Sequence, residues 1–237
     1  MRACRWCARS GAAGCALAEP HRAAIYYVPA ADDPLWPLGC AWLGRDPERE
    51  TALEQPAVQH LAAFTESPRR YGLHATLKPP MALAAGLDAF LADAASLAAS
   101  LRGFDLPPLA IADLDGFLAL TLAAPCPPMH DLADRCVAEL DHHRRPESAE
   151  AQARRAAGRS AEERENIARW GYPLVFGAFR FHMTLSERPH AALLAAAAHA
   201  HFAGSLDRKR RVTAIAVFTE AGPGAPMRLL RRLPFGG

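Results

Sequence analysis

Nowhere does this sequence hold an apolar run long enough to cross a bilayer. The softest stretch, Ala191 to Gly204, is short and is broken by His199 and His201. Its alanines and leucines read instead as a helix. An excess of one charge is missing too. Lys and Arg total 27 against 25 Asp and Glu, a formal net charge of +2, so nothing suggests a protein that coats a polyanion. Close cysteine pairs are scarce. Of six cysteines only Cys4 and Cys7 form a CxxC, and no second pair follows at a zinc-site spacing. Free thiols suit a reducing cytosol, so a cytoplasmic location is expected. The first twenty residues start basic but lack the apolar core of a signal peptide. Residues 1–21 are expected to form a loose extension.

What is present is a core-forming composition. The 237 residues are 51% hydrophobic and 22% charged, which suits one domain of two small lobes over residues 22–237. Ala23 to Pro29 is β-branched and aromatic, and reads as a strand. Asp32 to Gly44 reads as a short helix with a glycine stop. Leu73 to Pro79 reads as a strand ended by its prolines. Leu87 to Gly103 reads as an amphipathic helix. Pro108 to Leu114 and Phe117 to Ala123 form a hairpin across Asp115 and Gly116. Met129 to Trp170 is a charged helical segment, and its His142–His143 pair is assigned to a solvated face. Strand character returns from Phe176 to Ser186. A helix follows, then two closing strands, Arg211 to Glu220 and Met227 to Phe235. The order strand, helix, strand pair thus occurs twice, which predicts two similar α+β lobes with antiparallel sheets.

Two stretches carry the chemistry: "YGLHATLKPP" (Tyr71 to Pro80) and "FRFHMTLSERP" (Phe179 to Pro189). Side chains alternate faces along a strand. Gly72, His74, Thr76 and Lys78 then share one face, and Arg180, His182, Thr184 and Ser186 share another. A single His-x-Thr is weak evidence, because strands carry polar groups on their wet side. Two copies are stronger. The chain has only seven threonines, yet two of them follow a histidine by two residues and precede a leucine. The set suits a phosphate diester. One neutral imidazole takes a proton, a second gives one, and hydroxyls and cations hold the charged oxygens. A zinc site built on His74 and His182 would need a third ligand. Asp88 and Glu187 fall on the wrong face by spacing.

The paired motifs resemble those of the two-histidine (2H) phosphoesterase superfamily. The longer segments around them, and "AIYYVPAADDPLWPLGCAWLGRD", are similar to its branch of uncharacterised proteins found with phosphonate-degradation genes. The resemblance covers nearly all of Arg22 to Pro234. It implies an α+β fold of two similar lobes, with antiparallel sheets and flanking helices around a central cleft. It implies His74 and His182 as the acid–base pair, Thr76 and Thr184 as phosphate ligands, and no metal or cofactor. Strand face and adjacency add Lys78, Arg180 and Tyr71 as further phosphate-binding candidates. The expected activity is a metal-independent phosphodiesterase acting on a small cyclic or linear phosphodiester, linked to phosphonate metabolism. The alternatives are processing of RNA ends through a 2′,3′-cyclic phosphate, and a non-catalytic sensor of a phosphorylated ligand. The expected partner is a small phosphorylated substrate, a sugar or a nucleotide. Long nucleic acid and membrane are disfavoured. The one dense basic cluster, Asp207 to Arg211, is assigned to a solvated turn.

Overall fold

In the computed structural model, residues 18–237 are described. Residues 1–17 of the expected loose extension, with Cys4, Cys7 and Cys15, lie outside them. The end of that stretch is held rather than loose: the Leu87 N–H donates to Glu19 and the His21 N–H to the Glu220 carbonyl. The chain opens with β1 (Arg22–Tyr27), α1 (Leu35–Leu43), and the short strands β2 (Arg45–Asp46) and β3 (Thr51–Ala52). Next come α2 (Leu61–Phe64), α3 (Glu66–Tyr71), β4 (Ala75–Met81) and α4 (Leu87–Ser100). Three strands follow, β5 (Phe104–Leu106), β6 (Leu109–Leu114) and β7 (Phe117–Leu122), and then the helices α5 (Pro127–Glu139), α6 (Ala149–Ala156) and α7 (Ala161–Trp170). The chain closes with β8 (Met183–Thr184), α8 (Ala191–Leu206), β9 (Arg210–Val212), β10 (Ala214–Glu220) and β11 (Met227–Pro234).

The strands carrying the site lie in two antiparallel sheets. One has the order β11-β10-β1-β4, the other β6-β7-β8. The β6–β7 hairpin forms where the sequence predicts it, with Asp115 and Gly116 both at positive φ (54° and 96°). The sheets do not follow the sequence halves. β10 and β11, from the second half, pair through β1 with the strand that bears Thr76, while β6 and β7, from the first half, pair with the strand that bears Thr184. Each His-x-Thr segment therefore sits in a sheet completed by the other half's hairpin. A duplicated order of elements cannot reveal this, because pairing between distant strands leaves no local pattern.

Three expectations need correction. The prolines do not end β4, which runs through Pro79 and Pro80 to Met81. β4 is an edge strand, and there a missing N–H costs no ladder bond. The second motif's strand is only two residues long, because β8 pairs with β7 solely through Thr184 and Met183. The expected Arg211–Glu220 strand is split: β9 pairs with β5, and β10 with β1 and β11.

One core underlies both sheets. Ile25 and Leu77 from the first, and Leu118, Leu120 and Met183 from the second, belong to a single buried cluster. A smaller cluster on the other face of the first sheet holds Ala24, Tyr26 and Phe218 against Trp36 and Cys40 of α1. The indole N–H of Trp42 donates to the carbonyl of Leu185 at 2.9 Å, tying α1 to the segment just past β8. The basic cluster is less exposed than its sequence implies. Arg210 is buried and paired with Asp33 at 2.7 Å. No helix among the described residues is long and apolar enough to cross a membrane.

Candidate active site

A cleft of about 630 Å³ is lined by side chains of both sheets: Tyr26 and Thr76 from one, Phe117 and Thr184 from the other, with His74 and His182 between them. Each histidine is aimed in the same way. His74 Nδ1 lies 2.9 Å from the carbonyl of Gly72, and His182 Nδ1 lies 2.8 Å from the carbonyl of Arg180. A carbonyl oxygen only accepts, so each Nδ1 carries a proton and donates it. That leaves each Nε2 with a lone pair in the neutral ring and a donor in the charged one. Among the described residues, neither Nε2 and neither threonine hydroxyl is taken by a protein partner.

The Gly72 carbonyl depends on its own residue. Gly72 ends α3 at φ 75° and ψ 177°. A Cβ there would stand 2.7 Å from Pro47 Cγ as well as strain the backbone. The sharp turn places Tyr71, the last residue of α3, in the cleft. Tyr71 reaches it from a helix, where strand alternation does not apply.

The surroundings of the two histidines differ. The His74 ring is stacked on Tyr26, with centroids 3.9 Å apart, and Tyr26 is fully buried. Burial pulls the His74 imidazole down to about 4, against the pull of the Gly72 hydrogen bond, and the nearby His182 lowers it further. His182 meets the edge of Phe117 at 5.8 Å.

Two of the expected phosphate ligands stand elsewhere. β1 pairs Tyr26 with Thr76 but Ile25 with Lys78, with a register shift between. Such a bulge adds one residue to the strand and reverses the alternation beyond it. Thr76 stays on the cleft face, and Lys78 turns to the helix side. There it is 2% exposed, and its Nζ donates to the Val137 carbonyl at 3.0 Å and to Asp141 at 3.1 Å. Burial lowers the Lys78 pKa. Asp141, pushed up by burial, is drawn below its usual range by Arg144 and Lys78. Arg180 is exposed and is not among the residues lining the cleft; its carbonyl, not its guanidinium, serves the site. Ser186, also expected on the cleft face, reaches the cleft wall, but its hydroxyl accepts the Leu118 N–H at 2.9 Å. Glu187 reaches the rim too, where it accepts the Ser67 N–H.

The sequence reading missed Arg22 and Tyr26, which precede Tyr71 and His74 by many residues but face them across β1. Arg22 lines the cleft and donates to Glu220 at 2.5 Å. That hydrogen bond raises the arginine's pKa. Glu220, pushed up by burial, is held below its usual range by Arg22 and a backbone N–H. Arg155 and Tyr172, from the charged helical segment and the loop after it, close one side. Arg188 lies over the Phe117 ring at 4.9 Å.

Known proteins place the chain more closely. The model of a family described as a protein of unknown function, DUF1045, matches residues 76–228. The chain belongs to this family. The match holds Thr76, His182 and Thr184 and begins just after His74. Two curated relatives are named ribose 1,5-bisphosphate phosphokinase PhnN. The one from Janthinobacterium sp. (strain Marseille) is 35% identical over 231 residues, and the one from Laribacter hongkongensis (strain HLHK9) 38% over 218. The alignments cover 91% and 89% of this chain but 51% of each relative, so the chain spans about half their length. Among solved structures, Escherichia coli LigT aligns at 13% identity in its apo form (TM-score 0.43) and at 15% in its complex with ATP (TM-score 0.45). Each alignment covers 92% of this chain, with 99% and 100% of the respective LigT chain.

Proposed function

We propose that this chain is a 2H-type phosphodiesterase that opens a small cyclic or linear phosphodiester with two histidines and no metal in the chemical step. The observation that carries the proposal is the matched pair. Both His-x-Thr segments present a free Nε2 and a free hydroxyl to one cleft, and a backbone carbonyl fixes each ring. The asymmetry of the pair supports one division of roles. His74, held neutral by burial, takes a proton from water through Nε2 as the water oxygen attacks phosphorus. His182, in its protonated form, gives its Nε2 proton to the departing oxygen. One proton is taken and one is given, so the pair ends with its charges exchanged. Thr76 and Thr184 donate to the non-bridging oxygens as charge builds there. Tyr71 and Arg22 stand at the same wall to bind the remainder of the substrate.

The names of the curated relatives support a phosphorylated ribose as substrate class, and the resemblance to proteins found with phosphonate-degradation genes supports a place in phosphonate metabolism. Their kinase activity is not carried over. A phosphate loop of the GxxxxGK[ST] kind is absent from this sequence, whose two lysines, Lys78 and Lys209, lie in other contexts. The test is a screen of cyclic ribose phosphates, and of short RNAs ending in a 2′,3′-cyclic phosphate, in the presence of a strong chelator. Wild-type protein should turn over the small ribose diester, and the His74→Ala/His182→Ala double variant should not. Activity lost to the chelator and restored by zinc would overturn the metal-free step. Turnover by the double variant would place the site elsewhere.

A further inference from the structure

Away from the cleft, three side chains converge at a corner of the fold. Asp93 projects from the middle of α4. His142 and His143 stand in the 3-10 turn Asp141–His143 that follows α5. Nε2 of His142 lies 2.9 Å from Asp93 Oδ2, and Nε2 of His143 lies 2.8 Å from the same oxygen. One ligand atom from each residue lies within 4.8 Å of the other two. None of the three lines the cleft. His143 was expected on a solvated face, but its side chain is only 3% exposed, set against the Phe90 ring at 5.4 Å.

We propose that Asp93, His142 and His143 form a binding site for a zinc-class divalent cation, with a structural role. Two imidazoles and one carboxylate are the donors that zinc, cobalt and nickel accept, and three protein ligands leave a position for water. The buried His143 is aimed at Asp93 alone. Its Nδ1 is buried with no hydrogen-bond partner, so Asp93 is the one group that fixes the ring, and a cation bound at Nε2 would leave the ring proton on Nδ1. Asp93 and His142 are about half exposed, at 49% and 60%, and can adjust around an ion. Bonds of about 2.0–2.2 Å to each ligand require each histidine nitrogen to part from Asp93 Oδ2 by roughly half an ångström from its present hydrogen-bonded spacing. A hollow of about 350 Å³, lined in part by Asp93, His142 and Glu139, gives the ion a way in. Bound there, the cation would clasp α4 to the corner after α5. The residue that opens this turn, Asp141, holds Lys78 of β4, so the clasp would brace the cleft strand from behind without entering the chemistry.

The test uses the full chain, dialysed against a chelator and then titrated with zinc chloride. Cys4, Cys7 and Cys15 are replaced by serine in a parallel sample, to separate binding by thiols. Wild type should take up one zinc in the serine background, and saturating zinc should raise Tm by roughly 5 °C. Asp93→Asn and His142→Gln, both at exposed positions, should fold normally without metal and weaken uptake by roughly a hundredfold. Cobalt(II) in the same sample should show the absorption of nitrogen and oxygen donors, without the charge-transfer band of a thiolate. Absence of uptake would overturn the proposal, as would uptake unchanged in both variants or lost with the cysteines. Failure here leaves the cleft reading untouched, because the metal-free protein of both variants should turn over the cleft substrate at the wild-type rate.

Discussion

His74 and His182 are alike in sequence and in the hydrogen bond that aims each ring, yet they stand in different surroundings. His74 immediately precedes a seven-residue edge strand and lies flat against a buried tyrosine. His182 precedes a two-residue strand and touches a phenylalanine only by its edge. The shared part is local: histidine Nδ1 bonds a carbonyl two residues back, and the strand turns the threonine the same way. The different part comes from the neighbours. Under the proposed function, a repeated motif can therefore serve two opposite proton transfers, because the motif sets direction while packing holds one of the two rings neutral. The proposed division into acid and base rests on this difference, which lies in the packing and not in the motif.

The largest expected effect would sharpen that comparison. His74→Ala and His182→Ala should each lower kcat by about 10²–10⁴ on an alkyl diester. On an aryl diester, whose phenolate leaves without a proton, the loss in His182→Ala should shrink to within about tenfold. His74→Ala should stay as damaged as before. Equal rescue of both variants, or rescue of His74→Ala alone, would break the assignment. Steady-state kinetics on the two substrates decide it.

Next in size is the effect of burying His74 neutral. Its folded pKa of about 4 lies below the roughly 6.5 of an unfolded histidine. The unfolded chain therefore binds the proton first as pH falls. The stability that His74 preserves above about pH 6.5 is lost between there and about pH 4. Denaturant unfolding near pH 7 and pH 4.5 should show wild type losing on the order of 2–3 kcal/mol more than His74→Gln. An equal loss in both would mean that the Tyr26 face does not exclude water from the ring.

Much of the site was readable because it is local. The His-x-Thr pairs, the Asp115–Gly116 turn and the amphipathic α4 all follow from neighbours a few residues apart. Lys78 was misplaced because a bulge is not written in the alternation of β4. It shows only once β1 pairs Tyr26 with Thr76 and Ile25 with Lys78. Arg22 and Tyr26 share a strand parity, but nothing in "RAAIYY" tells a cleft tyrosine from a core one. The exchange of hairpins between the halves depends on pairing across nearly the whole chain, and local periodicity is silent about it. His143 was misread for the converse reason. Its charged sequence neighbours suggested solvent, while the packing of Phe90 on α4 buried it.

The bulge yields a smaller effect that separates the two faces of β4. Lys78→Met removes a buried cation whose partner Asp141 keeps Arg144 at 2.8 Å. The expected loss of stability is about 1–3 kcal/mol, with kcat/KM of the folded enzyme within about threefold of wild type. A phosphate-binding lysine would behave in the opposite way, giving little loss of stability and a large rise in KM.

The smallest expected effect concerns the residue before His182. Arg180 offers the site its carbonyl, which Arg180→Ala retains, while its side chain is exposed and does not line the cleft. The substitution should change stability by no more than about 0.5 kcal/mol and leave kcat/KM unaltered at moderate salt. Proline at 180 would constrain the backbone that presents this carbonyl, and should disturb the rate where alanine does not. If alanine alone lowers kcat/KM tenfold, the guanidinium reaches the substrate in the bound state. The second segment would then carry a cation that the first, with Lys78 turned away by its bulge, does not.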